Sequence, residues 1–291
     1  MNTLKNIVTL MRPHQYVKNI TILLPLFFSM EFLDIKLLSR TLIAFVAFSL
    51  SSSSVYILND YFDIESDRLH PEKKNRPLAA GTVSLRIGCL VMILLLICGC
   101  GLMMVISPNA TIILVIYVIM NVAYNIKLKH LAIVDIVVIS TGFLLRLFVG
   151  STVGSIPLSK WIVLMTFLLA LFIAIGKRRS DVLIFEETGT KMRSVIGGYN
   201  LRFLDGAMMI MASVIIVAYI LYTTSQEVIQ RIHNDFIYLT TIWVIVGLLR
   251  YLQIAFVDNN SGDPTQIALK DTFLHITILL WIGSFIWLLY L

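Results

Sequence analysis

Charge is scarce in this chain. Only 14% of its 291 residues are Asp, Glu, Lys or Arg, 58% are hydrophobic, and the mean hydropathy is +0.88. Apolar runs recur from end to end with short polar breaks, which leaves no room for a separable soluble domain; residues 1–291 are expected to form one integral membrane domain. Cysteine is nearly absent. Cys89, Cys98 and Cys100 share one apolar run with no His nearby, which fits packing and excludes a metal site of familiar spacing. A cleavable leader is also lacking, because residues 1–18 hold no compact apolar core followed by a small-residue cleavage site; they read as an amphipathic helix on the membrane surface. The net charge of +6 sits in short loops and forms no extended stripe, so anionic lipid and phosphate are expected partners and nucleic acid is not. His14, His70 and His130 show no partner spacing, and no Cys or His stands out as a nucleophile.

Hydropathy predicts an all-α, polytopic membrane helix bundle of about nine spans, over residues 19–33, 37–59, 86–106, 109–126, 132–152, 159–176, 203–223, 235–256 and 272–290. The first is short by the usual twenty-residue rule. Orientation follows from the basic residues. Of the 23 Lys and Arg, only Lys36, Arg40, Lys160 and Arg231 fall in one set of alternate loops, and Arg146 falls inside a span. The rest lie before the first span or in the other set of loops, which places the N-terminus and those loops in the cytoplasm of a bacterial-type inner membrane, with the C-terminus outside. Nearly all acidic residues share that face, and Ser107-Pro108-Asn109 on the other carries no charge. The active face is therefore expected to be cytoplasmic, and a cation-coupled transporter would lack a charged path across the membrane.

One stretch concentrates what charge there is. Asn59-Asp60-Tyr61-Phe62-Asp63-Ile64-Glu65-Ser66-Asp67-Arg68 follows the second span directly and runs on to Lys73, Lys74, Arg76 and Pro77. On a helix Asn59, Asp63 and Asp67 fall at i, i+4 and i+8, with Asp60 beside them. Hard oxygens on one stripe suit Mg²⁺, which takes one or two carboxylates and fills its shell with water and substrate phosphates. The bland alternative is a solvated acidic helix end paired with Arg68, Lys73, Lys74 and Arg76. Beside a membrane span the metal–diphosphate reading is preferred.

Other polar groups supply candidates for phosphate. Arg12-Pro13-His14-Gln15-Tyr16-Val17-Lys18-Asn19 precedes the first span, where an interfacial anchor would not need the amides of Gln15 and Asn19. Ser51 to Ser54 read as close helix packing. His70-Pro71 reads as a helix stop, and Arg76 before Pro77 is expected to be extended, projecting its guanidinium. Tyr124, Lys127, Lys129 and His130 form the fourth loop, and the sixth opens with Lys177-Arg178-Arg179-Ser180-Asp181 and continues through Lys191 and Arg193. Asp135 and Arg146, about three turns apart in the fifth span, leave open a structural ion pair or a site role. Ser261-Gly262-Asp263-Pro264 reads as a connecting turn.

The Asn-Asp-x-x-Asp-x-x-x-Asp pattern after the second span resembles the UbiA superfamily of membrane prenyltransferases. Three further features are similar to its decaprenyl-phosphate phosphoribosyltransferase branch: Arg12-Pro13-x-Gln15-Tyr16-x-Lys18-Asn19, the run from Asp67-Arg68 through Arg76-Pro77 to Ala79-Ala80-Gly81, and Gly176-Lys177-Arg178. The resemblance implies Mg²⁺-dependent transfer of a 5-phosphoribosyl group from phosphoribosyl pyrophosphate to a polyprenyl phosphate. Asn59, Asp60, Asp63 and Asp67 would hold the metal, with Asp60, Asp63 and Asp67 as the catalytic carboxylates. Lys18, Asn19, Arg76, Tyr124, Lys127, Lys177 and Arg178 would bind substrate. One departure bears on the substrate. Members acting on aromatic acceptors carry a second Asp-x-x-x-Asp motif after the sixth span, whereas here Asp181 is followed four positions later by Phe185 and the segment opens with three cations. Extra cations suit a donor with extra phosphate. The alternative is polyprenyl transfer from a diphosphate to an aromatic or other acceptor.

Overall fold

The computed structural model describes residues 2–29, 31–69, 73–189, 194–232, 234–258, 267 and 270–290. The expected turns at His70-Pro71 and at 261–264, together with Lys191 and Arg193, lie outside them. The described residues are helical throughout, with no strand among them. In chain order the α-helices are α1 (Asn2–Met11), α2 (Leu24–Phe28), α3 (Ile35–Phe62), α4 (Ile64–Leu69), α5 (Leu85–Ile106), α6 (Pro108–Ile126), α7 (Val134–Gly154), α8 (Lys160–Thr188), α9 (Leu201–Thr224), α10 (Gln226–Ile232), α11 (Thr241–Phe256) and α12 (Thr272–Tyr290). Seven segments, α3, α5 to α9 and Asp235–Phe256, are long and apolar enough to cross a membrane, and Thr272–Leu288 is a shorter apolar helix.

Two expected boundaries move. The span over 19–33 is instead a 3-10 segment, Pro13–Leu23, continuing into the short α2 and ending at Phe28. The sixth span does not stop near residue 176, because nothing from Lys177 to Thr188 breaks a helix; α8 runs on to Gly189, which closes it in the left-handed region at φ 69°. Lys177, Arg178, Arg179 and Asp181 therefore stand on a helix and not in a loop.

The chain forms two compact units, Met1–Leu158 and Ser159–Leu291. In the first, α3 is the axis: 61% of its apolar window is buried, against 11% for α5, which turns most of its surface outward. Asp34 starts α3 by accepting from the backbone N–H of Lys36 and Leu37. Ala44, Ala47 and Phe48 then pack with Ile22, Met103, Leu114 and Val149. The serine run is packing, as expected: Ser51 to Ser54 are all buried. Small residues let neighbouring helices approach closely. A Cβ added to Gly99 of α5 would lie 2.7 Å from the Ala47 carbonyl oxygen, and one added to Gly150 of α7 would lie 1.9 Å from that of Ile22. The amphipathic α1 buries Leu10 against Ile57, Leu78 and Val83 while Leu4 and Val8 stay exposed. In the second unit Arg179 ties α8 to Asp205 Oδ1 at 2.6 Å and to the Ala255 carbonyl. Arg250 Nη2 meets Asp271 Oδ2 at 2.7 Å.

Candidate active site

The acidic motif leaves the bundle on the last turns of α3. The helix formally breaks at Asp63, yet its hydrogen-bond ladder survives: Asp63 N donates to Asn59 O at 3.0 Å and Asp67 N to Asp63 O at 2.7 Å. Asn59, Asp63 and Asp67 thus remain one turn apart, as their spacing predicts. Asp60 and Asp67 are buried, and the Asp63 side chain is 27% exposed.

Each carboxylate meets a cation. Arg12 Nη2 donates to Asp60 Oδ1, and Arg76 Nη1 reaches the same oxygen at 3.1 Å and Asp67 Oδ2 at 2.6 Å. Arg76 does project its guanidinium, back towards the motif. Lys129 Nζ donates to Asp63 Oδ1 at 2.6 Å, and Asn59 Nδ2 donates to Asp63 Oδ2 at 3.0 Å. Arg12 is aimed by an unusual backbone: at φ 53° and ψ 58° it occupies the left-handed region, at a cost of about 1–2 kcal/mol, and its guanidinium lies 5.6 Å from the Tyr56 ring centre. Burial holds that guanidinium below its ordinary range, and the Asp60 carboxylate opposes the shift.

These residues fit a divalent cation by donor chemistry. Asn59, Asp60, Asp63 and Asp67 offer hard oxygens, and the buried Asp60 Oδ2 has no hydrogen-bond partner, so it retains acceptor capacity. Among the described residues no three His, Cys, Asp or Glu side chains converge into a cage. Mg²⁺ does not need one, because it typically keeps several waters and is shared between one or two carboxylates and substrate phosphates. The three cations on the carboxylates are then a ready set of phosphate partners.

The remaining expected residues are scattered. Asn19 is buried, with Nδ2 donating to Ser49 Oγ at 2.9 Å and Oδ1 accepting from Arg146 Nε at 2.7 Å, so both ends of its amide are engaged inside the bundle. Lys18 and Tyr124 are partly buried and Lys127 is exposed. In the second unit Lys177 is partly buried, while Arg178 is 1% exposed and donates to Asp181 Oδ2 at 2.6 Å. Asp135 and Arg146 are both buried, but the printed partners of Arg146 are Asn19, Gly142 O and the Tyr117 hydroxyl, not a carboxylate. Sequence reasoning passed over Arg12 and Lys129 as site residues. Arg12 carried a signal in the dense polar group it opens, whereas nothing local separates Lys129 from Lys127; the turn Leu128–His130 decides which of them points at Asp63.

The profile of the UbiA prenyltransferase family matches residues 20–277. The chain belongs to that family. Among its UbiA relatives, the decaprenyl-phosphate phosphoribosyltransferase of Mycolicibacterium smegmatis is 32% identical, over 97% of this chain and 92% of the relative. Its namesake from Corynebacterium glutamicum is 29% identical, over 100% of this chain and 88% of the relative. The UbiA fold itself is shared with a UbiA homolog from Archaeoglobus fulgidus bound to DMAPP and Mg²⁺, at TM-score 0.73 and 18% identity over 97% of this chain and 98% of that one. An apo UbiA homolog from Aeropyrum pernix K1 superposes at TM-score 0.62, with 13% identity over 95% of each chain. The chain is accordingly an integral membrane protein of the UbiA type.

Proposed function

We propose that this UbiA-family protein transfers a 5-phosphoribosyl group from phosphoribosyl pyrophosphate to a polyprenyl phosphate, releasing pyrophosphate. The observation that carries the reading is the pairing of Asp60, Asp63 and Asp67 with Arg12, Arg76 and Lys129 at the end of a membrane helix. The names of the full-length relatives support the choice of substrates. The N-terminus and the loops bearing the site face the cytoplasm in this reading, where a soluble donor can meet a lipid acceptor held in the bilayer.

Asn59, Asp63 and Asp67, with Asp60, would hold Mg²⁺, which when bound supplies charge neutralisation to the diphosphate. The protein does the rest by placing charge. Arg76 shifts from Asp60 and Asp67 to diphosphate oxygens, and Arg12 and Lys129 do the same from Asp60 and Asp63. The bond from ribose C1 to the diphosphate oxygen breaks with its electron pair leaving on that oxygen, where these cations stabilise it. A lipid phosphate oxygen forms the new bond to C1. It is already anionic near neutral pH, so no general base is required, in keeping with the lack of a conspicuous His or Cys nucleophile. Lys18, Tyr124, Lys127, Lys177 and Arg178 remain proposed contacts to substrate phosphate. The test is pyrophosphate release from phosphoribosyl pyrophosphate by purified protein. Release that requires added polyprenyl phosphate and stops with EDTA supports the reading; turnover only with a prenyl diphosphate donor overturns it.

A further inference from the structure

Arg146 presents a charge problem the proposed chemistry has not used. It lies within the membrane-spanning α7 and is 4% exposed. Its Nε donates to Asn19 Oδ1 at 2.7 Å, Nη1 to Gly142 O at 2.8 Å and Nη2 to the Tyr117 hydroxyl at 3.2 Å. The rings of Phe48, Tyr117 and Phe143 pack around it at 5.0, 4.9 and 5.5 Å. Among the described residues no carboxylate reaches it. A guanidinium has five N–H donors, so one on each terminal nitrogen remains unused. Ring faces and neutral acceptors soften the cost of a buried cation, but an anion is its natural complement in low dielectric.

A second observation points the same way. Ser52 of α3 is 0% exposed, and its Oγ has no hydrogen-bond partner, although it lies near the Tyr117 hydroxyl that Arg146 holds. An unsatisfied buried hydroxyl beside an unneutralised guanidinium is the polar complement of a small oxyanion. The position relative to the acidic motif is also specific. Ser52, Tyr56, Asn59 and Asp63 fall at i, i+4, i+7 and i+11, on one face of α3. Tyr56 lies between the two regions, with the Arg12 guanidinium over its ring. Seven residues of helix from Ser52 to Asn59 rise about 10 Å.

We infer that Ser52, Tyr117 and Arg146 form a phosphomonoester subsite below the acidic motif, and that it receives the 5-phosphate of the donor. This rests on the phosphoribosyl reading above. The two phosphate groups flanking the donor's ribose are separated by about seven covalent bonds of roughly 1.5 Å each before staggering, a reach comparable to that helical rise. The diphosphate would stay at Asn59, Asp63 and Asp67 while the ribose lies along Tyr56. Asn19 then acts as a positioning residue, fixing the guanidinium through Nε and leaving the terminal nitrogens to the phosphate. A prenyl diphosphate has no second phosphate to place there, so the subsite would also discriminate between donor classes.

The test uses ribose 5-phosphate, which carries the monoester without the diphosphate, on the full-length protein in detergent without Mg²⁺. Wild type should gain thermal protection, and Ser52→Ala and Arg146→Lys should each weaken the apparent affinity by about tenfold or more, the loss of a charge-assisted hydrogen bond. Protection by pyrophosphate with Mg²⁺ should be the same in wild type and Ser52→Ala. If Arg146→Lys does not fold, Ser52→Ala decides alone. Unchanged ribose 5-phosphate protection in Ser52→Ala, in a protein that still transfers phosphoribosyl, overturns the subsite and leaves the function standing. A wild type that uses only prenyl diphosphate overturns both.

Discussion

Arg146 and Asn19 lie 127 positions apart in sequence and 2.7 Å apart in space, the Arg146 Nε–H donating to the Asn19 carbonyl oxygen. That bond ties α7 to the Pro13–Leu23 segment, and the Asn19 amide passes the tie on to α3 through Ser49. Asn19→Ala should lower stability by roughly 1.5–3 kcal/mol, the value of a hydrogen bond to a charged group. Thermal unfolding in detergent is the measurement, with Asn19→Asp, which keeps the acceptor and adds a counter-charge, expected to lose less.

Close backbone approach makes a second prediction. Gly150→Ala would put a methyl group 1.9 Å from the Ile22 carbonyl oxygen, so α7 must move away at a cost of about 1–3 kcal/mol. Gly101 in α5 has nothing within 4 Å of such a methyl. Gly101→Ala should be neutral or stabilising by up to about 1 kcal/mol. Comparable melting temperatures for the two variants would contradict the packing.

Asp63→Asn and Asp67→Asn should reduce transfer by on the order of 10²-fold or more, since each removes a full charge from the proposed metal–diphosphate site. Expression and melting should change little for Asp63→Asn, because its pair with Lys129 is partly exposed and such pairs contribute about 0–1 kcal/mol. Activity close to wild type in either variant would remove the metal argument.

The second unit makes a pH prediction. Asp271 is held below the usual carboxylate range, first by its bond to Arg250 and then by the backbone N–H of Leu274. A carboxylate depressed in the folded state stabilises the fold above its unfolded pKa, about 3.9, and that contribution is lost as pH falls through the lower folded value. Melting temperature should therefore drop as the pH goes below about 4. Asp271→Asn, which keeps the cap to Leu274, should show a smaller acid-induced drop.

The architecture was legible because the bilayer demands long apolar helices, and seven of the nine expected spans are present as such. The first span was misplaced because a 3-10 segment beginning at Pro13 carries no distinctive periodicity. The end of the sixth was misplaced because a charged segment was read as a loop, although Arg178 and Asp181 at i, i+3 support a continuing helix. The acidic stripe was legible from spacing alone. Its cations were only partly so, since Arg76 is near in sequence while Arg12 and Lys129 lie 48 and 66 positions from their partners. A one-dimensional pattern also could not show that Asn19, beside Lys18, faces Arg146 and not the acidic motif.

The central claim is the identity of the transferred group, and the most direct measurement follows that group. Purified protein in detergent is given Mg²⁺, polyprenyl phosphate and phosphoribosyl pyrophosphate labelled in the 5-phosphate, and the organic phase is counted. The account predicts label in the lipid, lost with EDTA and lost in Asp67→Asn. An unlabelled organic phase across several lipid lengths, alongside product formed from a prenyl diphosphate and an aromatic acceptor, would contradict it.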